Sequence, residues 1–222
     1  TPIWIHTDAS QAAGTCALNV SSLQVDMMTI SAAKIYGPKQ VGLLWSSGDV
    51  PLRPLVLGGG QENGLRSGTE NVAGIIGFSQ AFTTLQECRN DEATRLQQLR
   101  KKLHNSLLEA FHWAIVAGPT KDNQRLCNLL HISFPGLEAR RLVIALDKRG
   151  VSVGTGSACA ASKMRISHVL QAIGVDEETA KGSLRITLGR PTTEEQIEYA
   201  AQVIIETVRS EMQRLGIDRE GM

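Results

Sequence analysis

The segment that decides the fold spans residues 25–39 and reads VDMMTISAAKIYGPK. Residues 25–31 are mostly apolar and predict a buried β-strand, while Gly37-Pro38 predicts a turn. Lys34 therefore lies where a buried strand ends. Loss of hydration there would make its amine a nucleophile able to form a Schiff base with a carbonyl cofactor. The alternative for this residue type alone is an ordinary solvated lysine.

Around this segment, strands and helices follow one another in an order that is typical of an α/β fold. A helix over residues 72–111 is indicated by apolar residues at a spacing near 3.6, for example Leu96, Leu99, Leu103 and Leu107. Two more helices are predicted at residues 139–148, ended by Gly150, and at 194–215, begun by Thr192-Thr193. Short apolar runs predict six strands. The first is at residues 3–5 and leads into His6-Thr7-Asp8. The others are at residues 25–31, 41–45, 129–134, 151–153 and 183–188.

The composition excludes several classes of protein. The 222 residues are 42% hydrophobic and 20% charged, which is typical of a globular protein with a sizeable core. The net charge of +1 gives no reason to expect direct binding of nucleic acid or of an acidic membrane surface. We expect no transmembrane helix, because no apolar run approaches about 18 residues. We also expect no metal site, since the four cysteines are widely spaced and form no CxxC pair.

Two residues near the start of the chain could bind a ligand. Asp8 ends an apolar run, and α/β sheets bind ligands where their strands end. A carboxylate there could pair with a protonated ring nitrogen, although it could equally cap a turn. Gln11 follows closely and could donate a hydrogen bond to the same ligand.

Further candidates lie along the rest of the chain. The hydroxyls of Ser31 and Thr69 could bind a phosphate. Arg185, in a predicted strand, could bind a substrate carboxylate through two parallel hydrogen bonds, or it could be a surface arginine. Cys159 lies among small residues, with Lys163 and Arg165 near enough in sequence to favour the thiolate. Cys16, Cys88 and Cys127 are interpreted as apolar filler.

Together these groups match one chemistry better than each does alone. They supply a carboxylate for a ring nitrogen, a Schiff-base lysine, phosphate-binding hydroxyls, a carboxylate-binding arginine and a thiol. This combination indicates pyridoxal phosphate chemistry on an amino acid, with a sulfur acceptor.

The sequence also resembles the C-terminal part of the pyridoxal-phosphate-dependent cysteine desulfurases, in the class with the long cysteine loop of the class V aminotransferase family. The resemblance covers nearly the whole chain in the family's order. It rests on five segments: HTDASQAAG (6–14), SAAKIYGPKQVG (31–42), GGGQENGLRSGTENVAGIIG (58–77), GSACAAS (156–162) and SLRITLGRPTTEEQI (183–197).

The resemblance implies a role for each candidate residue. Asp8 would pair with the pyridine nitrogen, Gln11 would bond the ring hydroxyl, and Lys34 would form the Schiff base and move protons. Ser31 would bind the phosphate, and Thr69 would reach the phosphate of the neighbouring subunit. Arg185 would bind the substrate carboxylate. Cys159 would take the sulfur of L-cysteine, leaving L-alanine and a persulfide.

The resemblance also implies an architecture and partners. The fold would be fold type I of the pyridoxal phosphate enzymes, with part of the large domain at residues 1–88 and a small α+β domain at 89–222. The protein would be a cytoplasmic homodimer that passes sulfur to acceptor proteins, such as iron–sulfur scaffolds or tRNA-thiolation carriers.

Two departures from the family pattern leave alternatives open. Ala33 stands where the family usually has a phosphate-binding histidine, so one phosphate contact is absent. The N-terminal half of the pattern, which carries a ring-stacking histidine, is also absent from this sequence. A non-catalytic homologue that dimerises or docks a partner is therefore one alternative, and a lyase acting on selenocysteine is another.

Overall fold

The structure, a computed structural model, describes residues 3–155 and 167–218. It divides into two compact units, an N-terminal unit of Thr1–Ala93 and a C-terminal unit of Thr94–Met222. The division falls within a long helix, slightly beyond the domain boundary expected at residues 88–89.

The N-terminal unit is built on a three-stranded sheet of order β1-β2-β3. β1 and β2 are parallel, so their carboxyl ends lie at the same edge, whereas β3 is antiparallel to β2. The strands and helices that begin in this unit are β1 (His6–Asp8), α1 (Val20–Leu23), β2 (Met27–Ser31), β3 (Gly42–Ser46) and α2 (Val72–Ala110).

The core of this unit lies on one face of the sheet. Met28 and Ile30 alternate along β2 and point inward, as the period of a β-strand requires. They belong to a buried cluster with Ala9, Ala13, Ala32, Ile35, Phe78 and Leu85. The core therefore fixes the ends of β1 and β2 against the first turns of α2.

The C-terminal unit is built on an antiparallel sheet of order β4-β5-β7-β6. It includes the second part of α2. Its other elements are β4 (Ile115–Val116), β5 (Leu129–Ser133), α3 (Ala139–Asp147), β6 (Gly154–Thr155), α4 (His168–Ala172), α5 (Glu177–Lys181), β7 (Ser183–Thr187) and α6 (Glu194–Leu215).

The two central strands of this sheet have one core face and one opposite face. Leu130 and Ile132 of β5 and Leu184 and Ile186 of β7 are buried in the same cluster as residues of α2, α3 and α6. Because successive side chains alternate, the residues between them point to the opposite face. His131 and Arg185 lie on that opposite face.

The predicted long helices are present at nearly the predicted positions. α6 begins with a capping box in which Thr193 and Gln196 bond each other's backbone N–H groups. α3 ends at Asp147 with Lys148 as its C-cap, and Gly150, which the sequence predicted as the residue that ends it, follows with a φ of 76°. Periodicity and end signals were sufficient for these elements because both are local.

Two predicted strands are wrong. Residues 3–5 form no strand, and the first strand begins at His6. Ile3 is 88% exposed, and the backbone N–H of Ile5 donates to the Asp26 carboxylate at 2.8 Å instead of to a neighbouring strand. Residues 151–153 also form no strand, and the adjacent strand is Gly154–Thr155.

None of the helices in residues 3–155 and 167–218 combines the length and the apolar character needed to cross a membrane.

Candidate functional site

Polar side chains meet at the edge of the N-terminal sheet where β1 and β2 end. Asp8 is the last residue of β1 and lies opposite Thr29, and Ser31 ends β2. β3 begins at this edge with Gly42, which lies opposite Ser31. The sheet edge thus places a carboxylate and a hydroxyl where α/β sheets bind ligands.

Ser10 joins the ends of the two strands. Its backbone N–H donates to Asp8 Oδ1 at 2.9 Å, and its Oγ accepts the backbone N–H of Ser31 at 3.0 Å. The Ser10 hydroxyl, followed by its backbone N–H, lowers the pKa of Asp8 below its ordinary value, and His6 adds a smaller electrostatic contribution. Asp8 is therefore held as a carboxylate.

Sequence reasoning did not single out Ser10, although a signal was present. A serine two residues after an aspartate is typical of a turn in which the aspartate accepts a backbone hydrogen bond. The contact with Ser31 had no such signal, because it depends on the parallel pairing of β1 with β2.

Lys34 lies at the end of a single 3₁₀ turn, Ala32–Lys34, that directly follows β2. The Lys34 side chain is exposed to solvent, so the expected loss of hydration of its amine is not observed. Ala32 anchors the turn, since its N–H donates to Val41 and its carbonyl oxygen accepts from Gly37 at 2.9 Å.

The lysine turn packs closely on helix α2. A Cβ atom added at Gly37 would lie 3.3 Å from Cβ of Ala81, and one added at Gly77 would lie 3.2 Å from Pro38 Cγ. Tyr36, between the lysine and this contact, has a φ of 64°, which is unusual for a bulky residue, and strained conformations of this kind cluster at functional sites. The backbone that carries Lys34 is thus fixed even though its side chain is exposed.

Gln11, Ala33 and Thr69 lie in the same unit. Among the residues that the structure describes, their side chains form no hydrogen bond with Asp8 or Lys34. Gln11 is exposed on the turn after β1, and Ala33 is exposed beside Lys34. Thr69 is exposed directly after a compact loop, in which Ser67 is buried and Gly68 donates its N–H to the Gln61 side chain at 3.1 Å. Within the described residues, no hydrogen bond links the Thr69 side chain to the sheet edge.

The remaining candidates belong to the C-terminal unit. Arg185 is half-buried in β7, on the face of the sheet opposite the core. Cys159, with Lys163 and Arg165, lies outside the described residues, so its predicted role stays a prediction. Cys16, Cys88 and Cys127 are partly buried and not in disulfide bonds.

Replacing Ser10 with alanine should raise the pKa of Asp8 towards its ordinary value, because the hydroxyl is the largest contribution to the lowering. A pH titration of the Asp8 carboxyl carbon by NMR measures this directly. Ser21→Ala, at an exposed serine of α1, is the control and should leave the titration unchanged. An Asp8 titration that is identical in Ser10→Ala and the unaltered protein would contradict the contact.

Comparison with known proteins gives a consistent result. Residues 1–200 match the family described as Aminotransferase class-V. A protein from Clostridium botulinum (strain Hall), called "Cysteine desulfurase IscS", is 40% identical over 207 residues, which are 93% of this chain and 52% of that protein. A protein of the same name from Dictyoglomus turgidum is 43% identical over 211 residues, covering 94% and 53%.

Solved structures agree with these matches. A "NIFS-LIKE PROTEIN" aligns with a TM-score of 0.83 at 37% identity, covering 93% of this chain and 53% of that one. A NifS-like protein from Rickettsia africae aligns with a TM-score of 0.83 at 31% identity, covering 93% and 54%. The likeness confirms the predicted α/β fold of fold type I. The chain spans about half the length of the curated relatives that it matches.

Proposed function

The chain belongs to the aminotransferase class-V family, and we propose that it acts within a pyridoxal-phosphate-dependent cysteine desulfurase. Such an enzyme converts L-cysteine to L-alanine and transfers the sulfur to its own thiol. The observation that carries the proposal is the grouping of Asp8, Ser31 and the Lys34 turn at one sheet edge. A carboxylate, a hydroxyl and an amine at that place suit a phosphorylated pyridine aldehyde.

The residues of this edge fit that cofactor. Hydrogen bonds from Ser10 hold the pKa of Asp8 low, so its carboxylate is negative and can keep a ring nitrogen protonated. Ser31 offers a hydroxyl to a phosphate, and Gln11 offers an amide to the ring hydroxyl. The exposed Lys34 amine is accessible to the aldehyde.

Pyridoxal phosphate, when bound, supplies an electron sink that weakens the bonds at the α-carbon of an amino acid. The chain's own residues do the rest of the work. Lys34 Nζ holds the cofactor in place and then moves a proton at the substrate's α-carbon. Asp8 maintains the ring proton throughout, because its carboxylate stays ionised.

The C-terminal unit supplies the groups that handle the substrate. Arg185 binds the α-carboxylate of L-cysteine, a task suited to a guanidinium that can form two parallel hydrogen bonds. The Cys159 thiolate would attack the substrate sulfur, so that an S–S bond forms as the substrate's Cβ–S bond breaks; the electron pair of that bond stays with the carbon skeleton, which is protonated to L-alanine, and a persulfide remains on Cys159. That sulfur passes to acceptor proteins, including iron–sulfur scaffolds or tRNA-thiolation carriers.

The proposal extends to a homodimer in which Thr69 reaches the neighbouring subunit's phosphate. Apolar side chains that are unusually exposed flank Thr69 in sequence, and they support this part of the proposal. Leu55 is 97% exposed, Leu57 is 80% exposed and Ile76 is 64% exposed. Exposed apolar groups of this kind are typical of surfaces that another chain covers. The N-terminal unit then corresponds to part of the cofactor domain and the C-terminal unit to the small domain.

Replacing Cys159 with serine tests the sulfur step. The holoprotein incubated with L-cysteine is expected to accumulate a protein-bound persulfide, detected by mass spectrometry, and Cys159→Ser should abolish it. Cys88→Ser is the matched control, because that thiol donates to the Thr84 carbonyl at 3.2 Å and a hydroxyl can replace it. Persulfide that still forms in Cys159→Ser would overturn the assignment of this residue.

A further inference from the structure

His131 is a half-buried imidazole for which the proposed chemistry gives no role. It lies at the centre of β5, between Leu130 and Ile132, and the alternation of the strand turns it away from the core that these two residues enter. It lies directly opposite Arg185 in the antiparallel pairing of β5 with β7. Facing side chains in such pairs have Cβ atoms about 5 Å apart, so the imidazole and the arginine are neighbours.

Gly154 completes a row of residues across three strands. It lies opposite Arg185 on the other side, in β6. A Cβ atom at Gly154 would lie 3.2 Å from Arg185 Nη2, which is tighter than an ordinary contact. Because Gly154 has no side chain, the Arg185 guanidinium can lie beside the backbone of β6. His131 lies on the other side of Arg185.

The hydrogen-bonding groups of this row are incomplete. His131 Nδ1 is buried and has no hydrogen-bond partner in the described part of the chain. Across residues 3–155 and 167–218, Arg185 is likewise in none of the ion pairs formed with aspartate or glutamate. Buried polar atoms are almost always hydrogen-bonded, so a buried nitrogen without a partner calls for an explanation, and a ligand bound beside Arg185 would be one.

The charge state of His131 is also compatible with an anion bound by Arg185. Burial, followed by the positive charge of Arg185, lowers the pKa of His131 below its ordinary value. At neutral pH the imidazole is therefore uncharged and carries one N–H, so it can stand beside Arg185 without repelling it. An anion bound by Arg185 could accept a hydrogen bond from that N–H.

We propose that His131 is a further substrate-binding residue, whose Nδ1–H donates a hydrogen bond to the α-carboxylate that Arg185 binds. The row His131–Arg185–Gly154 is then a carboxylate subsite. In it Arg185 supplies the charge, His131 supplies a directed donor and Gly154 supplies space. The proposal rests on the role proposed above for Arg185. This subsite would distinguish amino acids from amines that lack a carboxylate.

The test compares the binding of two probes to the holoprotein, each followed through the absorbance of the bound cofactor. L-Alanine carries the carboxylate and ethylamine is the same molecule without it. His131→Leu should weaken binding of L-alanine roughly ten- to hundredfold, the effect of a hydrogen bond to a charged group, and leave ethylamine binding unchanged. His104→Leu, on α2, is the control and should change neither.

Two further variants separate a donor from a structural role and remain informative if His131→Leu does not fold. His131→Asn places an amide where Nδ1 lies and should restore most of the L-alanine binding, whereas His131→Gln places its amide further out and should not. Equal binding by Asn and Gln variants would overturn the proposal. So would His131→Leu if it weakened L-alanine and ethylamine alike.

Arg185→Gln distinguishes failure of this inference from failure of the proposed function. If Arg185→Gln loses selectivity for L-alanine over ethylamine while His131→Leu keeps it, the role of His131 is wrong and that of Arg185 stands. If Arg185→Gln keeps the selectivity too, the carboxylate is bound elsewhere and both assignments are wrong.

Discussion

Replacing Lys34 with alanine is expected to abolish covalent attachment of pyridoxal phosphate and to lower L-cysteine desulfuration roughly a thousandfold or more. Two functions are lost together, because the same amine holds the cofactor and moves a proton at the substrate's α-carbon. The fold should be unaffected, since the side chain is exposed and the hydrogen bonds that shape the turn come from Ala32, Gly37 and the backbone of Val41.

The measurement for Lys34 has two independent parts. Mass spectrometry after borohydride reduction locates the attached cofactor, and release of alanine from L-cysteine reports activity. Lys39→Ala is the matched control, because Lys39 is an exposed lysine on the same loop and should keep both properties.

Either of two outcomes would count against the role of Lys34. Attachment that persists in Lys34→Ala would assign the cofactor to another lysine. A protein that never takes up the cofactor, even with Lys34 present, would instead favour the non-catalytic alternative that Ala33 raises.

The elements predicted correctly from sequence are those whose signals are local. The 3.6-residue spacing of leucines in α2 and the Thr193 cap of α6 depend only on residues within a few positions of one another. The error at residues 3–5 has the opposite cause. An apolar run alone does not show whether a neighbouring strand covers it, and Ile3 is exposed.

In the candidate site, too, the features with local sequence signals were predictable and those that depend on strand pairing were not. The placement of Asp8 and Ser31 at one edge of the sheet was predictable, because each ends a run that the sequence predicts as a strand. The bridge from Ser10 to Ser31 and the pairing of His131 with Arg185 were not predictable, because both depend on which residues of two distant strands lie opposite each other. A shift of one residue in register would have turned His131 to the core.

Replacing Gly182 with alanine is expected to lower the free energy of unfolding by about 3 kcal/mol, the upper part of the range for overpacked positions. Gly182 lies between α5 and β7, with a φ of −89° that alanine also adopts, so the cost is steric. An added Cβ atom would overlap the carbonyl oxygen of Phe134 and lie 2.7 Å from its carbonyl carbon. A backbone group of this kind cannot move aside as the end of a flexible side chain can.

The surroundings of Gly182 leave the backbone little freedom to adjust. The Phe134 N–H donates to the Gly182 carbonyl at 3.0 Å, which ties the two segments together. The Phe134 ring is fully buried and packs edge-on against the ring of Phe111, with centroids 5.6 Å apart. Relieving the overlap therefore requires either the hydrogen bond or the aromatic packing to change, and both stabilise the C-terminal unit.

Urea denaturation followed by tryptophan fluorescence measures the effect, since Trp113 lies against the Phe134 ring with centroids 6.0 Å apart. Gly48→Ala is the matched control. A Cβ atom there would meet nothing within 4 Å, and its φ lies outside the left-handed region, so its unfolding free energy should change by less than about 0.5 kcal/mol. If Gly182→Ala loses no more stability than Gly48→Ala, the backbone of Phe134 yields to the added methyl group, and the close approach of these two segments does not limit the stability of the C-terminal unit.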